Sequence, residues 1–323
     1  MKIDARTLLY LTLPPFMWAG NAVVGRLLVG IMPPVLMNAT RWALVALLLA
    51  PLAWRVFRRP ADVRTRWAYL ALIGSLGVGS YNALQYLALK TSSPLNVTLI
   101  GASIPVWMML VGALCFGQPV GRRQWGGAVL SVLGVLLVIS QGQWRALLHV
   151  QLVPGDLLML LASLAWAFYS WLLARPPATM AGGQRPAWDW AEFLFLQVLF
   201  GLAWALLCSG AEWAVLPSRV DQLAAPPAVS AIEAINAWSP GVRLAVGLAF
   251  IALGPSILAY RSWGLGVQAV GPTVAAFFGN LTPVFAAGWS AVLLGQSPQW
   301  YHPCALLLIA AGIALSSSYR QAQ

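Results

Sequence analysis

Two stretches of this chain decide its fold: residues 94–118 read PLNVTLIGASIPVWMMLVGALCFGQ, and residues 272–296 read PTVAAFFGNLTPVFAAGWSAVLLGQ. Laid over each other without a gap, they share the leading proline, a second proline (Pro105 and Pro283) and a closing Gly-Gln pair. Apolar helices match by chance at Leu or Val, but coincident Pro and Gly positions are not explained by composition. The chain therefore contains an internal repeat.

The composition places the chain in a membrane. Hydrophobic residues make up 60% of its 323 residues, charged residues only 8%, and the mean hydropathy is +0.77. Soluble globular proteins carry about 25% charged residues, and disordered chains lack such a supply of Leu, Val, Ile and Trp. A disulfide scaffold is excluded too, because Cys115, Cys208 and Cys304 stand singly in apolar runs; we expect them to be small buried hydrophobes.

Ten apolar segments are long enough to cross a membrane as helices. A helix crosses about 30 Å of hydrocarbon with about 20 residues, and the hydrophobicity is continuous rather than alternating as in a membrane strand. The segments begin near Thr7, Pro33, Trp67, Asn96, Arg123, Gly155, Trp190, Val242, Thr273 and Trp300. The sequence therefore predicts an all-α membrane protein with ten transmembrane helices.

The repeat divides these helices into two sets of five. Because five is odd, the second set enters the membrane from the opposite side, so the two repeats are inverted. The turn after the fourth span carries Arg122 and Arg123, whereas its counterpart after the ninth, residues 296–300, carries no charge, as opposite faces require. We expect a first five-helix repeat at residues 1–142, an outer interfacial linker at 143–153 and a second five-helix repeat at 154–323.

The basic residues set the orientation. With the N-terminus inside, most of the 19 Lys and Arg residues lie in inner loops, which predicts a multi-pass protein of the cytoplasmic (inner) membrane with both termini cytoplasmic. The net charge of +11 would suggest nucleic acid in a soluble protein, but here the charges punctuate apolar stretches, so no nucleic acid partner is expected. Residues 144–148 and 229–238 are predicted to lie flat on the outer surface, with ordinary loops as the alternative.

Inverted repeats indicate a carrier. Two pseudo-symmetric halves that exchange conformations give two nearly equivalent states, one open to each side of the membrane, which is alternating access. The sequence has no phosphate loop, dinucleotide fingerprint or His/Cys metal cluster, so we expect no ATP-driven transport, no enzyme activity, no cofactor and no metal. The alternative from another class is a polytopic membrane enzyme. Such an enzyme requires a cluster of His, Asp or Glu near one membrane surface, and the sequence shows no such cluster.

Several motifs resemble a known family, the EamA-type transporters of the drug/metabolite transporter superfamily. The resemblance rests on Phe16-Met17-Trp18-Ala19-Gly20-Asn21 with Gly25-Arg26, Pro33-Pro34 and Arg41, and on Ile104-Pro105-Val106, Gly117-Gln118 and Gln124-Trp125-Gly126. It implies a basket of ten helices around a central cavity, moving small metabolites such as amino acids across the cytoplasmic membrane. The family often has an acidic residue in the turn after the fourth span, where this chain has Gln118 and, in the second unit, Gln296.

One ionisable residue lies deep in a predicted span. Arg41 falls about 12 Å into the second span at helical rise, too deep for comfortable snorkelling. It is a candidate for binding a substrate carboxylate or phosphate, and the alternative is that it bonds helix-terminal carbonyls and locks helices together. All eight acidic residues lie in loops or near span ends. A carrier of lipophilic cations generally needs an embedded carboxylate, so a neutral, zwitterionic or anionic substrate is favoured.

Uncharged polar and aromatic residues near mid-span are predicted to line the cavity, with interhelical packing as the alternative for each. With Arg41, the candidate substrate-binding residues are Trp18, Asn21, Tyr81, Asn82, Gln85, Ser103, Trp107, Trp166, Tyr169, Tyr260, Trp263 and Asn280. Pro105 and Pro283 fall mid-span at equivalent positions and are candidate hinges or plain kinks.

The predicted function is secondary transport. We expect an exporter of small metabolites such as amino acids that alternates access around a central cavity, with multidrug efflux as the runner-up. Its partners are a small-molecule substrate and the lipid bilayer. A coupling proton and either a monomer or a weak oligomer are both compatible with the sequence.

Overall fold

The computed structural model describes residues 3–28, 34–88, 91–149, 151–215, 238–295 and 297–317. Within these ranges all regular structure is helical and no strand occurs. In chain order the α-helices are α1 (Ala5–Leu27), α2 (Pro34–Leu49), α3 (Pro60–Ile73), α4 (Tyr81–Ala88), α5 (Pro94–Ala102), α6 (Ile104–Phe116), α7 (Arg122–Ile139), α8 (Pro154–Ala174), α9 (Trp190–Val215), α10 (Pro240–Ile251), α11 (Ala259–Val270), α12 (Pro272–Gly279), α13 (Thr282–Leu294) and α14 (Tyr301–Ser317).

Shorter helical turns join some of these helices. Two π-helical segments, Gly74–Ser80 and Ala252–Leu258, connect α3 to α4 and α10 to α11 without leaving the helix direction. Short 3₁₀ turns lie at Trp54–Arg58 and Trp144–His149. The second of these falls on the predicted interfacial segment 144–148, whereas the other predicted segment, 229–238, lies outside the described residues except for Trp238.

The helices begin where the sequence places a proline or a cap. Proline at the first turn starts α3, α5, α8, α10 and α12, because the missing N–H has no partner there anyway. A helix begins close to each predicted segment start, apart from the third, which begins at Pro60 rather than at Trp67.

Among the residues that the structure describes, five helices are long and apolar enough to cross a membrane by length and composition. They are Arg122–Ile139, Pro154–Ala174, Trp190–Leu207, Pro240–Val270 and Pro272–Leu293, and a sixth span is formed if Asn96–Ala102 and Ile104–Phe116 are counted together. Those last two helices meet at a bend of 43°. The chain is therefore a helical, multi-pass membrane protein.

The candidate hinge prolines, predicted at mid-span, stand directly beside breaks in the helices. Pro105 and Pro283 stand in the first turn of α6 and α13, just after helix breaks at Ser103 and at residues 280–281. The chain interrupts the helix before each proline, so that neither ring clashes with a preceding turn. One expectation about the cysteines needs correction: Cys115 and Cys304 are exposed rather than buried, and the side chain of Cys208 lies outside the described part.

Local structure repeats with the sequence. The gapless register that places residues 95–140 on 273–318 also places the π-helical segment Gly74–Ser80 on Ala252–Leu258 and the break between α5 and α6 beside the break between α12 and α13. Both α6 and α13 end on a left-handed glycine, Gly117 at φ 63° and Gly295 at φ 65°. Equivalent positions thus adopt the same unusual backbone twice.

Repeat-equivalent helices run in opposite directions. On α7, a methyl added to Gly127 would lie 2.7 Å from the Gly312 carbonyl oxygen, and one added to Gly134 would lie 2.9 Å from the Ala305 carbonyl oxygen of α14. Advancing along α7 therefore means retreating along α14. The glycines allow the two backbones to approach this closely.

The first helix of each half packs against the other half. Helix α1 packs against α11 and α13, and helix α8 packs against the corresponding pair, α4 and α6. The packing is thus exchanged between the two halves. The centre of the molecule lies between α1 and α8, and the candidate site is built there.

Candidate functional site

A group of interlocked rings fills the centre of the molecule. This central aromatic cluster consists of Trp18, Trp166, Tyr169, Tyr260 and Trp263, and Trp166 contacts the other four at centroid distances of 5.1 to 5.7 Å. Two of these contacts, with Trp18 and Tyr260, are edge-to-face, the arrangement that aromatic quadrupoles favour. The cluster therefore joins α1, α8 and α11 at one point.

Two polar atoms of the cluster bond to the irregular segments beside it. Trp18 Nε1 donates to the Pro255 carbonyl at 3.2 Å, and Tyr260 Oη donates to the Gly77 carbonyl at 2.7 Å. These carbonyls belong to the two π-helical segments, whose wide turns alter the ordinary bonding of the helix. Each π-helical segment thus holds one ring of the cluster.

A cavity of about 360 Å³ leads from the cluster to one end of the molecule. Its inner end reaches Tyr169, Tyr260 and Gln197, where Tyr169 Oη donates to Gln197 Oε1 at 3.0 Å. Its outer end is walled by α9, by α11 and by the loop between α8 and α9. The further lining residues are Tyr69, Leu173, Ala174, Pro176, Met180, Arg185, Pro186, Trp188, Asp189, Trp190, Phe193, Leu194, Arg261, Gly264, Leu265 and Gln268.

The cavity opens at the end where the chain begins. A methyl added to Gly266, on the stretch of α11 that lines the cavity, would lie 2.6 Å from Leu11 Cδ2 near the start of α1. Trp18 and Trp166 contact Tyr260 but do not line the cavity, so the aromatic cluster lies at its inner end. The volume is within the range of about 300–1,000 Å³ found for small-molecule sites.

The loop that walls the cavity is fastened to α3 by one arginine. Arg66 donates from Nε to the Thr179 carbonyl at 2.8 Å and from Nη2 to the Gln184 carbonyl, while Nη1 forms an ion pair with Asp62 at 3.5 Å. Because a guanidinium presents several donors in a fixed plane, one side chain can hold two points of the loop. The sequence indicated no such role, since Arg66 was one of many inner-loop charges.

The structure brings only some of the predicted site residues together. The five members of the aromatic cluster meet, and Tyr81 joins them through Trp166 at 5.0 Å, but only Tyr169 and Tyr260 line the cavity. Asn21 and Gln85 are half-buried elsewhere.

Three other predicted residues serve the helix breaks. Trp107 Nε1 donates to Ser103 Oγ at 3.0 Å, and Ser103 Oγ donates to the Ile100 carbonyl. Asn280 Nδ2 bridges the two halves by donating to Ser131 Oγ at 2.9 Å and to the Ala102 carbonyl at 3.3 Å. The contacts of Asn280 link different helices, whereas those of Ser103 and Trp107 stay within one broken span.

Arg41 and Asn82 are buried with donors to spare. Arg41 is 3% exposed, its guanidinium carbon lies 4.6 Å from the centroid of the Trp42 ring, and its Nε has no hydrogen-bond partner among the described residues. Trp42 in turn meets Tyr260 edge-on at 5.1 Å, so Arg41 lies one ring away from the aromatic cluster. Asn82 Nδ2 is likewise without a described partner. Unpaired buried donors are costly, which makes both residues candidates for contact with a solute.

The buried acidic groups are engaged in helix starts. Asp156, at the first turn of α8, accepts from the Val153 amide at 2.9 Å, from Asn96 Nδ2 and from the Ser92 hydroxyl. Glu192, at the start of α9, accepts from the Asp189 amide at 2.8 Å. No group of three or more His, Cys, Asp or Glu that could hold a metal occurs in the described ranges.

Two parts of the site escaped the sequence analysis. Gln197 is an amide inside a long apolar run, a signal that could have marked it as facing a polar partner. The loop between α8 and α9 gave no periodic signal, because its short 3₁₀ turns at residues 178–180 and 182–184 are set by contacts with α3.

A helical membrane protein with an internal cavity of this size is what a solute transporter requires. The chain belongs to the EamA-like transporter family, whose model matches it twice, at residues 5–140 and 153–318. The resemblance seen in the sequence is thereby confirmed, and the family consists of transporters rather than enzymes.

Individual relatives agree with this assignment. The chain is 24% identical to an uncharacterized transporter of Archaeoglobus fulgidus over 98% of this chain and 99% of that protein. It is 25% identical to a protein of Salmonella typhimurium named a probable amino-acid metabolite efflux pump, over 93% of this chain and 90% of the relative. A crystal structure with 18% sequence identity has the same fold, with a TM-score of 0.68 over 98% of each chain.

Proposed function

We propose that this protein is a secondary exporter of small metabolites such as amino acids, working by alternating access between two inverted five-helix repeats. The observation that carries the proposal is the cavity that ends on the central aromatic cluster, in a fold whose repeat-equivalent helices α7 and α14 run in opposite directions. The Salmonella relative's name supports the amino-acid class.

The proposal includes ten membrane crossings with both termini in the cytoplasm. The antiparallel packing of α7 and α14 and the exchanged packing of α1 and α8 support the inversion. Since the cavity opens at the end where α1 begins, cytoplasmic termini make it an inward-facing cavity, the state in which an exporter loads its solute. The pronounced bias of Lys and Arg towards that side agrees.

In the proposed cycle, the aromatic cluster closes the deep end of the cavity while the solute is bound, and so separates it from the opposite side of the membrane. Opening towards the other side requires the rings of α1, α8 and α11 to separate and the cavity mouth to close. The hydrogen bonds from Trp18 to Pro255 and from Tyr260 to Gly77 connect that rearrangement to the two π-helical segments. The breaks beside Pro105 and Pro283 give α5–α6 and α12–α13 places to bend.

The charges support a substrate that is not a cation. The buried carboxylates Asp156 and Glu192 are already engaged at helix starts. Arg41 is a buried guanidinium whose Nε has no partner among the described residues, and its positive charge favours a carboxylate-bearing solute. Efflux of lipophilic cations would require a buried negative charge instead.

The test is a flux screen in proteoliposomes, with empty liposomes as the control. Radiolabelled amino acids, organic acids and cationic dyes are presented one at a time. We expect saturable movement of one or more amino acids or related carboxylates and none of the dyes. Saturable dye movement without amino-acid movement would overturn the substrate class, and no movement of any solute class would count against a carrier.

A further inference from the structure

The outer part of the cavity is lined by two arginines and one aspartate, so its charge is positive on balance. Arg185 and Arg261 both line it, and neither guanidinium forms an ion pair within the described residues. The guanidinium carbon of Arg261 lies 4.2 Å from the centroid of the Trp190 ring, a cation–π contact that leaves its outer donors available.

The acidic residue in the lining does not cancel this charge. Asp189 Oδ1 accepts from the amides of Ala191 at 2.7 Å and Glu192 at 2.9 Å, so it serves the positive end of α9. Trp188, another lining residue, has an indole N–H without a partner among the described residues. The outer cavity therefore offers donors and positive charge.

The inner end of the cavity has a different character. Both tyrosine hydroxyls there are already engaged: Tyr169 donates to Gln197, which also lines the inner end, and Tyr260 donates to the Gly77 carbonyl. The two aromatic residues form part of the wall at this end, although both are largely buried. Charge at the mouth and aromatic rings at depth make the cavity amphipathic along its length.

We propose that this cavity binds carboxylates that carry a planar apolar group, with Arg185 and Arg261 holding the carboxylate and Tyr169 and Tyr260 packing against the plane. The proposal rests on the cavity being the loading site of the transporter proposed above, and it names the substrate class of that site. Arginine suits this task because its planar donors match a carboxylate.

The chain offers a matched control for the charge. Arg175 ends α8, is exposed on the same loop and does not line the cavity. Replacing it with glutamine removes one positive charge from the same face of the molecule. An effect of general surface charge would therefore appear in Arg175→Gln as well.

The experiment measures binding to the full-length protein in nanodiscs at low salt. The probes are 3-phenylpropionate, its uncharged amide, phenethylamine and propionate, which separate the charge from the ring. We expect 3-phenylpropionate to bind roughly tenfold or more tightly than each of the other three, because each lacks one of the two features. We expect Arg185→Gln/Arg261→Gln to remove that preference and Arg175→Gln to preserve it.

Two results would overturn the proposal: equal binding of acid and amide by the wild type, or an equal loss of affinity in Arg175→Gln. Thermal unfolding of each variant checks that its fold is intact, and the wild-type comparison of acid with amide needs no variant at all. Binding is independent of movement, so the two proposals fail separately. Selective binding without flux would contradict secondary transport. Flux of amino acids without this selectivity would contradict only the binding preference proposed for the cavity.

Discussion

Arg41 is a buried cation that lies one ring away from the central aromatic cluster. It lies in the middle of α2, 3% exposed, with its guanidinium over Trp42 and its Nε unpartnered among the described residues. We predict that Arg41→Gln lowers flux of carboxylate solutes by about tenfold or more, because a charge-assisted pair is worth about 1.5–3 kcal/mol. Arg41→Lys, which keeps the charge but not the planar fork, is expected to fall between.

Flux in proteoliposomes and thermal unfolding in detergent are measured on the same preparations. The exposed Arg145, in the turn after α7, supplies the control Arg145→Gln. If Arg41→Gln unfolds at a lower temperature while flux per folded protein is unchanged, Arg41 is a helix lock and not a ligand.

Trp166 is the centre of the aromatic cluster, with Trp18, Tyr81, Tyr169, Tyr260 and Trp263 around it. We predict that Trp166→Ala costs about 3–5 kcal/mol of unfolding free energy, as large buried aromatics do. Trp125→Ala, at a tryptophan that is 43% exposed, is expected to cost much less. Equal losses measured by denaturant unfolding in micelles would contradict the central packing role.

At the scale of elements, the contact between α7 and α14 depends on the absence of side chains. A methyl on Gly127 would lie 2.7 Å from the Gly312 carbonyl oxygen, whereas a methyl on Gly288 would meet nothing within 4 Å. We predict that Gly127→Ala destabilises the protein by about 1–3 kcal/mol, the usual cost of overpacking. Gly288→Ala should be neutral or slightly stabilising, since alanine is the better helix former. Thermal unfolding of both variants checks this, and a neutral Gly127→Ala would mean that the two helices are not in close contact.

The sequence predicts where most helices begin better than it predicts the irregularities within them, namely the π-helical segments and the helix breaks. Prolines and caps mark helix starts, so nearly every predicted segment begins close to a helix. The π-helical segments Gly74–Ser80 and Ala252–Leu258 were not predicted, because a π turn depends on bonds made by its carbonyls to rings elsewhere in the fold. The sequence marked Pro105 and Pro283 as candidate hinges or kinks but did not indicate the helix breaks before them, one of which receives a hydrogen bond from Asn280 to the Ala102 carbonyl across the interface.

The candidate site follows the same division. Periodicity and composition indicated the aromatic residues that meet at the centre, because large rings in mid-span have few other places to pack. They could not indicate the cavity, whose wall is a loop held by Arg66 through backbone carbonyls. Carbonyls carry no sequence signal.

For the whole molecule, the inverted arrangement predicts on which face each turn lies. Pro119 and Ser297 occupy equivalent exposed positions after α6 and α13. In a protein whose three cysteines are replaced by alanine, Ser297→Cys should react with a membrane-impermeant maleimide in intact cells, and Pro119→Cys only after permeabilisation. Labelling of both sites from one side would refute the inversion and, with it, alternating access by symmetric halves.

The exchange of α1 and α8 between the halves has a consequence for biosynthesis. While the ribosome is still synthesising the second unit, α1 lacks its native partners α11 and α13. The face of α1 that later packs against them is covered temporarily by lipid or by other helices. The core packing of each unit therefore requires a helix from the other unit. Two separately translated fragments should consequently regain the native assembly only when both are present in one bilayer, each completing the other as it inserts.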